Sequence, residues 1–227
     1  MKWAVIDFPG SSGTEDILHV LRSLLNEEAE GVWYKDTDLS AYDVIILPSG
    51  ASFGDYLRSG AIASITPAIQ ALKEERKKGK LICGIGNGFQ ILLEAGFLPG
   101  AIRRNRLLKF ICAKSKLIVK NNNTPFTNQY EQQQEVNIPV AHQYGNYVCD
   151  KEIRQQLEEN NQIVFQYYDD LNGSMDHIAG IVSEDKRVLG LMPHPERASE
   201  SIIGSTDGLA LFQSIIHHWR EEHDRTS

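Results

Sequence analysis

Lys80-Leu-Ile-Cys-Gly-Ile-Gly86-Asn-Gly-Phe-Gln90 decides the reading of this chain. Leu81–Ile85 is a short apolar run, the pattern of a strand covered on both faces. Gly86-Asn-Gly is a tight turn, and the apolar periodicity from Phe89 to Glu94 opens a helix. A strand, a sharp turn and a helix in that order form an elbow, and several α/β enzymes carry a nucleophile at such a turn. Here the turn residue is Gly86, which has no side chain to attack with.

Strand and helix signals alternate upstream of the elbow. Trp3–Ile6, Gly31–Tyr34 and Asp43–Leu47 read as strands, and Thr14–Leu25 and Ser64–Lys78 as helices. This βαβαβ rhythm predicts a single doubly wound, mainly parallel sheet flanked by helices, an α/β fold of the flavodoxin-like kind. The second half reads differently. Leu107–Val119, Glu135–Val140, Ile163–Tyr168, Ile178–Val182 and Arg187–Leu191 look like shorter, partly antiparallel strands, with helices at Lys151–Glu159 and Asp207–Glu221. No repeat or linker divides the chain, so residues 1–227 are read as one domain.

Composition narrows the partners. A net charge of −7 argues against nucleic acid, and the one basic run, Glu74–Lys80, is broken by acids at a helix end. The three cysteines, Cys83, Cys112 and Cys149, have no metal or disulfide spacing and fit a reducing cytoplasm. No apolar run approaches membrane length, and the N-terminal apolar stretch is too short for a signal peptide. Neither a metal nor a membrane is expected.

Four loops should leave the carboxyl ends of strands, where open α/β sheets bind ligands. They are Pro9–Gly13, Pro48–Asp55, the Gly86 elbow and Pro193–Arg197. In the last, His194 is fixed between two prolines with Glu196 two residues on. In an extended segment the two side chains point the same way, and a carboxylate beside imidazole suits it to act as a nucleophile's base.

In sequence this chain resembles the class I (triad-type) glutamine amidotransferases, and among them the small bacterial glutaminase subunits of phosphoribosylformylglycinamidine synthase. The likeness runs almost end to end. It is carried by Phe8-Pro-Gly-Ser11, Gly54-Asp-Tyr-Leu-Arg58, Asn87-Gly-Phe-Gln-Ile-Leu92, Leu108–Cys112, Asn121–Thr127, Asp176–Val182, Met192–Arg197 and Gly204–Leu211. The resemblance implies hydrolysis of glutamine by an elbow cysteine, with His194 as base and Glu196 as its orienter. It implies oxyanion amides at Gly50 and Asn87, and glutamine binding by Gln90 and by the loop His142-Gln143-Tyr144. Ammonia would pass to a large ATP-using synthase subunit, with a small accessory subunit bridging the assembly, in a step of purine synthesis. ATP and Mg would belong to that partner; this chain needs no cofactor of its own.

The departures from the family pattern cluster. Gly86 stands at the cysteine position. Pro-Gly-Gly-Phe-Ser becomes Pro48-Ser-Gly-Ala-Ser52, so that Ser49 crowds the oxyanion loop or fixes it differently. His-Gly-Glu-Gly becomes His142-Gln-Tyr-Gly145, Gly-Ser-Asn-Cys becomes Gly10-Ser-Ser-Gly13, and Asp7 replaces an apolar residue. Strand alternation puts Cys83 on the face opposite Gly86, so it reads as core; Cys112 and Cys149 match ordinary family positions in the second half and read as structural; Ser11, Ser12 and Ser52 sit off the elbow. Three readings stay open: a non-catalytic paralogue that still docks to or regulates a synthase, a glutaminase whose nucleophile was replaced deliberately, and a pocket remodelled around Tyr144 and Asp7 for another small molecule. In each, the chain as written lacks glutaminase activity.

Overall fold

Alternation within the first strand sets the layers. In the computed structural model, which describes residues 1–224, β1 (Lys2–Asp7) sends Trp3 and Val5 to one face of the sheet and Ala4 and Ile6 to the other. The last three residues of the chain lie outside the described part. α1 (Thr14–His19) continues into a single π turn, Val20–Leu24, before β2 (Glu28–Trp33) and β3 (Val44–Leu47). α2 (Pro67–Lys77) starts with proline at its first position, where a missing N–H costs nothing. Then follow β4 (Leu81–Ile85) and α3 (Asn87–Glu94). The basic run at the end of α2 is absorbed by pairing: Lys78 and Lys80 both bond Glu75, and Arg76 bonds Asp185.

The second half comprises β5 (Ala101–Arg104), β6 (Ile111–Val119), β7 (Glu135–His142), β8 (Tyr144–Val148), α4 (Lys151–Glu159), β9 (Ile163–Tyr167), β10 (Ile178–Val182), β11 (Val188–Leu191) and α5 (Leu209–Asp224). Nine strands form one sheet in the order β2-β1-β3-β4-β11-β10-β9-β6-β7, and β5 pairs with β8 apart from it. From β2 to β11 the neighbours are parallel; from β10 onward they are antiparallel. The expected mainly parallel sheet with added antiparallel strands is what forms. Side chains from α1 and α5 pack on the face of Trp3 and Val5, and those from α2, α3 and α4 on the face of Ala4 and Ile6.

Several expected boundaries shift. Leu107–Lys109 is not strand: Leu108 lies at φ +58 in a turn closed by its N–H to Asn105 O (2.8 Å), and β6 begins only at Ile111. The short pair β5–β8 carries no clean apolar alternation and was not expected from sequence; it converts the anticipated 142–145 loop into a tight corner between β7 and β8. α3 begins at Asn87, two residues earlier than its periodicity indicates.

Candidate active site

β1, β3, β4 and β11 all end on one edge of the sheet, because they are parallel neighbours. The β4–β11 ladder runs up to the elbow itself, where Gly86 N donates to Leu191 O at 2.8 Å. Gly86 has φ +55 and ψ −108, a conformation that only glycine adopts without strain. α3 can follow so tightly because Gly88 lies against Leu47 O; a β-carbon there would sit 2.0 Å from that oxygen.

A cavity of about 250 Å³ opens at this edge. Its walls include Gly50 and Asp55 from the loop after β3, Gly86, Asn87 and Gln90 from the elbow, His142, Gln143 and Tyr144 from the β7–β8 corner, and His194. The sequence-predicted residues thus meet in one cleft, with the exception of Glu196, which is buried behind His194. The Pro9–Gly13 loop does not line the cleft. It braces the loop after β3 from behind, through Ser12 N to Ser49 O (2.9 Å) and Ala51 N to Gly10 O (2.9 Å). These two bonds flank the Ser11–Gly50 bridge and leave the Gly50 N–H turned away from that segment. Asp7 is also absent from the walls; it accepts the Thr14 hydroxyl at 2.6 Å.

His194 Nδ1 lies 2.9 Å from Glu196 Oε1, and both side chains are buried. The backbone here is not the extended segment expected from sequence: Pro195–Arg197 forms a 3₁₀ turn that brings the carboxylate to the ring. His194 N donates to Pro139 O at 2.8 Å, fixing the backbone against β7. Since a carboxylate only accepts, Nδ1 carries a proton, and in the neutral ring Nε2 is then the acceptor. Nε2 is buried and has no partner within the protein. A β-carbon built on Gly86 would stand 3.7 Å from it, so a cysteine sulfur one bond further would come within its reach. The geometry is that of a base awaiting a nucleophile that the chain does not carry.

Ser49 neither blocks the oxyanion loop nor lines the cleft. Its hydroxyl donates to Glu196 Oε1 at 3.1 Å, the oxygen that also receives His194. It occupies space opened by another departure: a β-carbon at Gly13 would lie 2.3 Å from Ser49 Oγ. The changes at positions 13 and 49 are therefore one steric exchange. The Ser49 β-carbon would also stand 3.3 Å from one built at Gly86.

A hydrogen-bond relay joins the three walls. Ser52 N donates to Asn87 Oδ1 (3.0 Å), Asn87 Nδ2 to Gln90 Oε1 (2.8 Å), and Gln90 Nε2 to Tyr144 O (2.7 Å). Both ends of the Gln90 amide take part in this relay, and Gln90 also lines the cavity, where the resemblance implies a hold on glutamine. The Tyr144 hydroxyl is drawn to β5, accepting from Arg104 Nε at 3.0 Å. Gln143 is exposed at the rim.

His142 packs flat on Gly145, where a β-carbon would fall 2.2 Å from the ring. Asn105 Nδ2 donates to Lys109 O and His142 O, so its Oδ1 faces His142 Nδ1 at 3.0 Å, and Nδ1 is the protonated nitrogen. Burial first, then the nearby His194, lower the His142 pKa to about 4. The ring is neutral at pH 7 with Nε2 unpartnered.

None of the cysteines replaces the elbow thiol. Cys83 is fully buried among Trp3, Val5 and Ile46 on the other face of the sheet, and burial pushes its thiol well above the ordinary range. Cys112 and Cys149 lie on β6 and just after β8, away from the cleft walls. Among the described residues, no group of three His, Cys, Asp or Glu side chains could hold a metal ion, and no helix is long and apolar enough to cross a membrane.

A parallel sheet with a glycine elbow facing a buried His–Glu pair defines the scaffold of a triad-type glutamine amidotransferase. A sequence profile of the CobB/CobQ-like glutamine amidotransferase domain matches residues 1–211, and the chain belongs to this family. A chain in the structure of PurLQS from Thermotoga maritima is 44% identical, over 96% of this chain and 98% of that one, with a TM-score of 0.89. More distant structures share the fold alone. They include a glutamine amidotransferase from Thermotoga maritima (16% identity, 100% and 85% coverage, TM-score 0.59) and the glutaminase domain of Trypanosoma brucei CTPS with bound acivicin (12%, 96% and 94%, 0.63).

Proposed function

We propose that this chain is the glutaminase-type subunit of a phosphoribosylformylglycinamidine synthase, and that as written it docks into the complex without hydrolysing glutamine. The observation that carries the second half is the elbow: the His194 base and its Glu196 orienter are in place, and the residue they should activate is Gly86. Likeness to a chain of the PurLQS structure over almost the whole length supports the first half. The partners are then the large ATP-using synthase subunit, which converts formylglycinamide ribonucleotide to the amidine during purine synthesis, and a small accessory subunit.

The cleft mouth has the character of a docking surface. Phe110 lines it with 63% of its area exposed, and Tyr56 and Leu57, which follow Asp55, are 73% and 89% exposed. Large exposed apolar side chains around a cavity favour a partner that covers them.

One observation favours a second reading, a non-catalytic paralogue that binds or regulates a synthase. Ser49 fills the space next to both Gly13 and Gly86 and bonds the catalytic-type carboxylate, which is the packing of a rebuilt centre and not of a single lost atom. A glutamate-release assay on the chain assembled with the large subunit tests the proposal: no release is expected. If glutamine is turned over, the docked, inactive subunit is ruled out.

A further inference from the structure

The elbow cleft is lined by one formal charge. Asp55 contributes it, and among the described residues no Lys or Arg lines the walls. Three acceptor atoms at this cleft are buried without a hydrogen-bond partner: Asp55 Oδ1, His142 Nε2 and His194 Nε2. Both imidazoles are at least 95% buried, and with Nδ1 donating, each Nε2 is the acceptor of the neutral ring. Buried polar atoms in folded proteins are almost always paired, so three at one cleft point to a ligand that donates.

Asp55 is held there by an unusual loop. Phe53, Gly54 and Asp55 all have positive φ (53°, 71° and 56°), a conformation rare for side-chain-bearing residues. The loop is clamped at both sides. Phe53 packs edge-on against Tyr34 with ring centres 5.2 Å apart, and Arg58 makes a two-pronged bond to Glu94 on α3. Burial raises the Asp55 pKa, with the Ser59 hydroxyl partly offsetting it, and no cation pairs with the carboxylate.

We propose that Asp55 is the counter-ion for a primary ammonium group of the cleft's ligand, with His142 and His194 receiving the ligand's amide N–H groups through Nε2. The ligand class is an amino amide, and recognition runs through its nitrogen atoms. This rests on the reading of the cleft as a glutamine site and assigns the group that selects its ligand. Because no cation lines the walls, a carboxylate on the ligand adds little.

Titration calorimetry on the intact chain with three amides tests this. Glutamine carries both ionic groups, glutaramate lacks the ammonium, and 4-aminobutanamide lacks the carboxylate. Losing a half-buried charge partner should weaken binding at least about tenfold for glutaramate, with 4-aminobutanamide within about threefold of glutamine. Asp55→Asn should bring glutamine down to the glutaramate level and leave glutaramate unchanged. Equal binding of glutamine and glutaramate by the unaltered chain would overturn the assignment of Asp55 while leaving the glutamine site standing. Failure of all three to bind would overturn both.

Discussion

Restoring the missing thiol tests the geometry of the elbow most sharply. In Gly86→Cys the new β-carbon would lie 3.2 Å from His194 Cε1 and 3.3 Å from Ser49 Cβ. Carbon atoms rest at about 3.5–4.0 Å, so something must yield by a few tenths of an ångström. His194 is held from both sides by Glu196 and by Pro139 O, so the relief has to come from residue 49. A misplacement of about 1 Å at a reacting centre can cost about 100-fold in rate. A few tenths of an ångström should then cost on the order of 10-fold, about 1.4 kcal/mol in the barrier. The expected order is a low glutaminase kcat/KM for Gly86→Cys and one about 10-fold higher for Gly86→Cys with Ser49→Gly. Ser49→Ala in the same background keeps the β-carbon and removes only the hydroxyl, so it should not rescue. Both cysteine variants should be less stable, since a side chain at φ +55 costs about 1–3 kcal/mol, with a Tm decrease of about 2–4 °C per kcal/mol. Glutamate release by coupled assay reads the rates. Equal activity with and without Ser49→Gly, or rescue by Ser49→Ala, would refute the steric reasoning.

Three further outcomes follow from single environments. The His142 imidazole is lowered from 6.5 to about 4 in the folded chain, so between these values the unfolded chain binds the extra proton. Stability should be full above about pH 6.5 and fall by roughly 3 kcal/mol as pH drops to 4, and His142→Gln should flatten that fall in urea titrations; an unchanged profile would contradict the assigned environment. Brief iodoacetamide treatment of the native chain should modify the exposed Cys112 and spare the fully buried Cys83, as peptide mass mapping would show; rapid labelling of Cys83 would place it wrongly in the core. Tyr56→Ala at the cleft mouth should weaken co-elution with the large synthase subunit by about 10-fold or more, with little change in Tm, because the side chain is 73% exposed; undiminished association would move the docking surface elsewhere.

The parallel half was legible because its residues speak locally. Val44–Leu47 and Leu81–Ile85 are unbroken apolar runs that can only be covered strands, and Gly86-Asn-Gly has few uses beyond a sharp turn. His194 and Glu196 were found through their spacing, although the backbone that joins them is a 3₁₀ turn and not the extended segment assumed. What stayed hidden depends on distance in the chain. Asp55 reads as a loop acid until the cleft is assembled around it, and its row of left-handed residues offers only one glycine as a signal. Ser49 read as an obstruction because nothing in the sequence tells that Gly13 has made room for it or that Glu196 lies within its reach. Leu107, Leu108 and Phe110 looked like strand because apolar residues needed at a surface carry the same pattern as those needed inside.

The central claim is that a complete amidotransferase scaffold here lacks the atom that reacts. The measurement that tests it most directly is glutamate release by the chain assembled with the proposed large synthase subunit, with nucleotide and formylglycinamide ribonucleotide supplied. Release no faster than in buffer is expected, with synthase activity only when free ammonia is added. Glutamine-dependent turnover that survives replacement of Cys83, Cys112 and Cys149 together by alanine would contradict it.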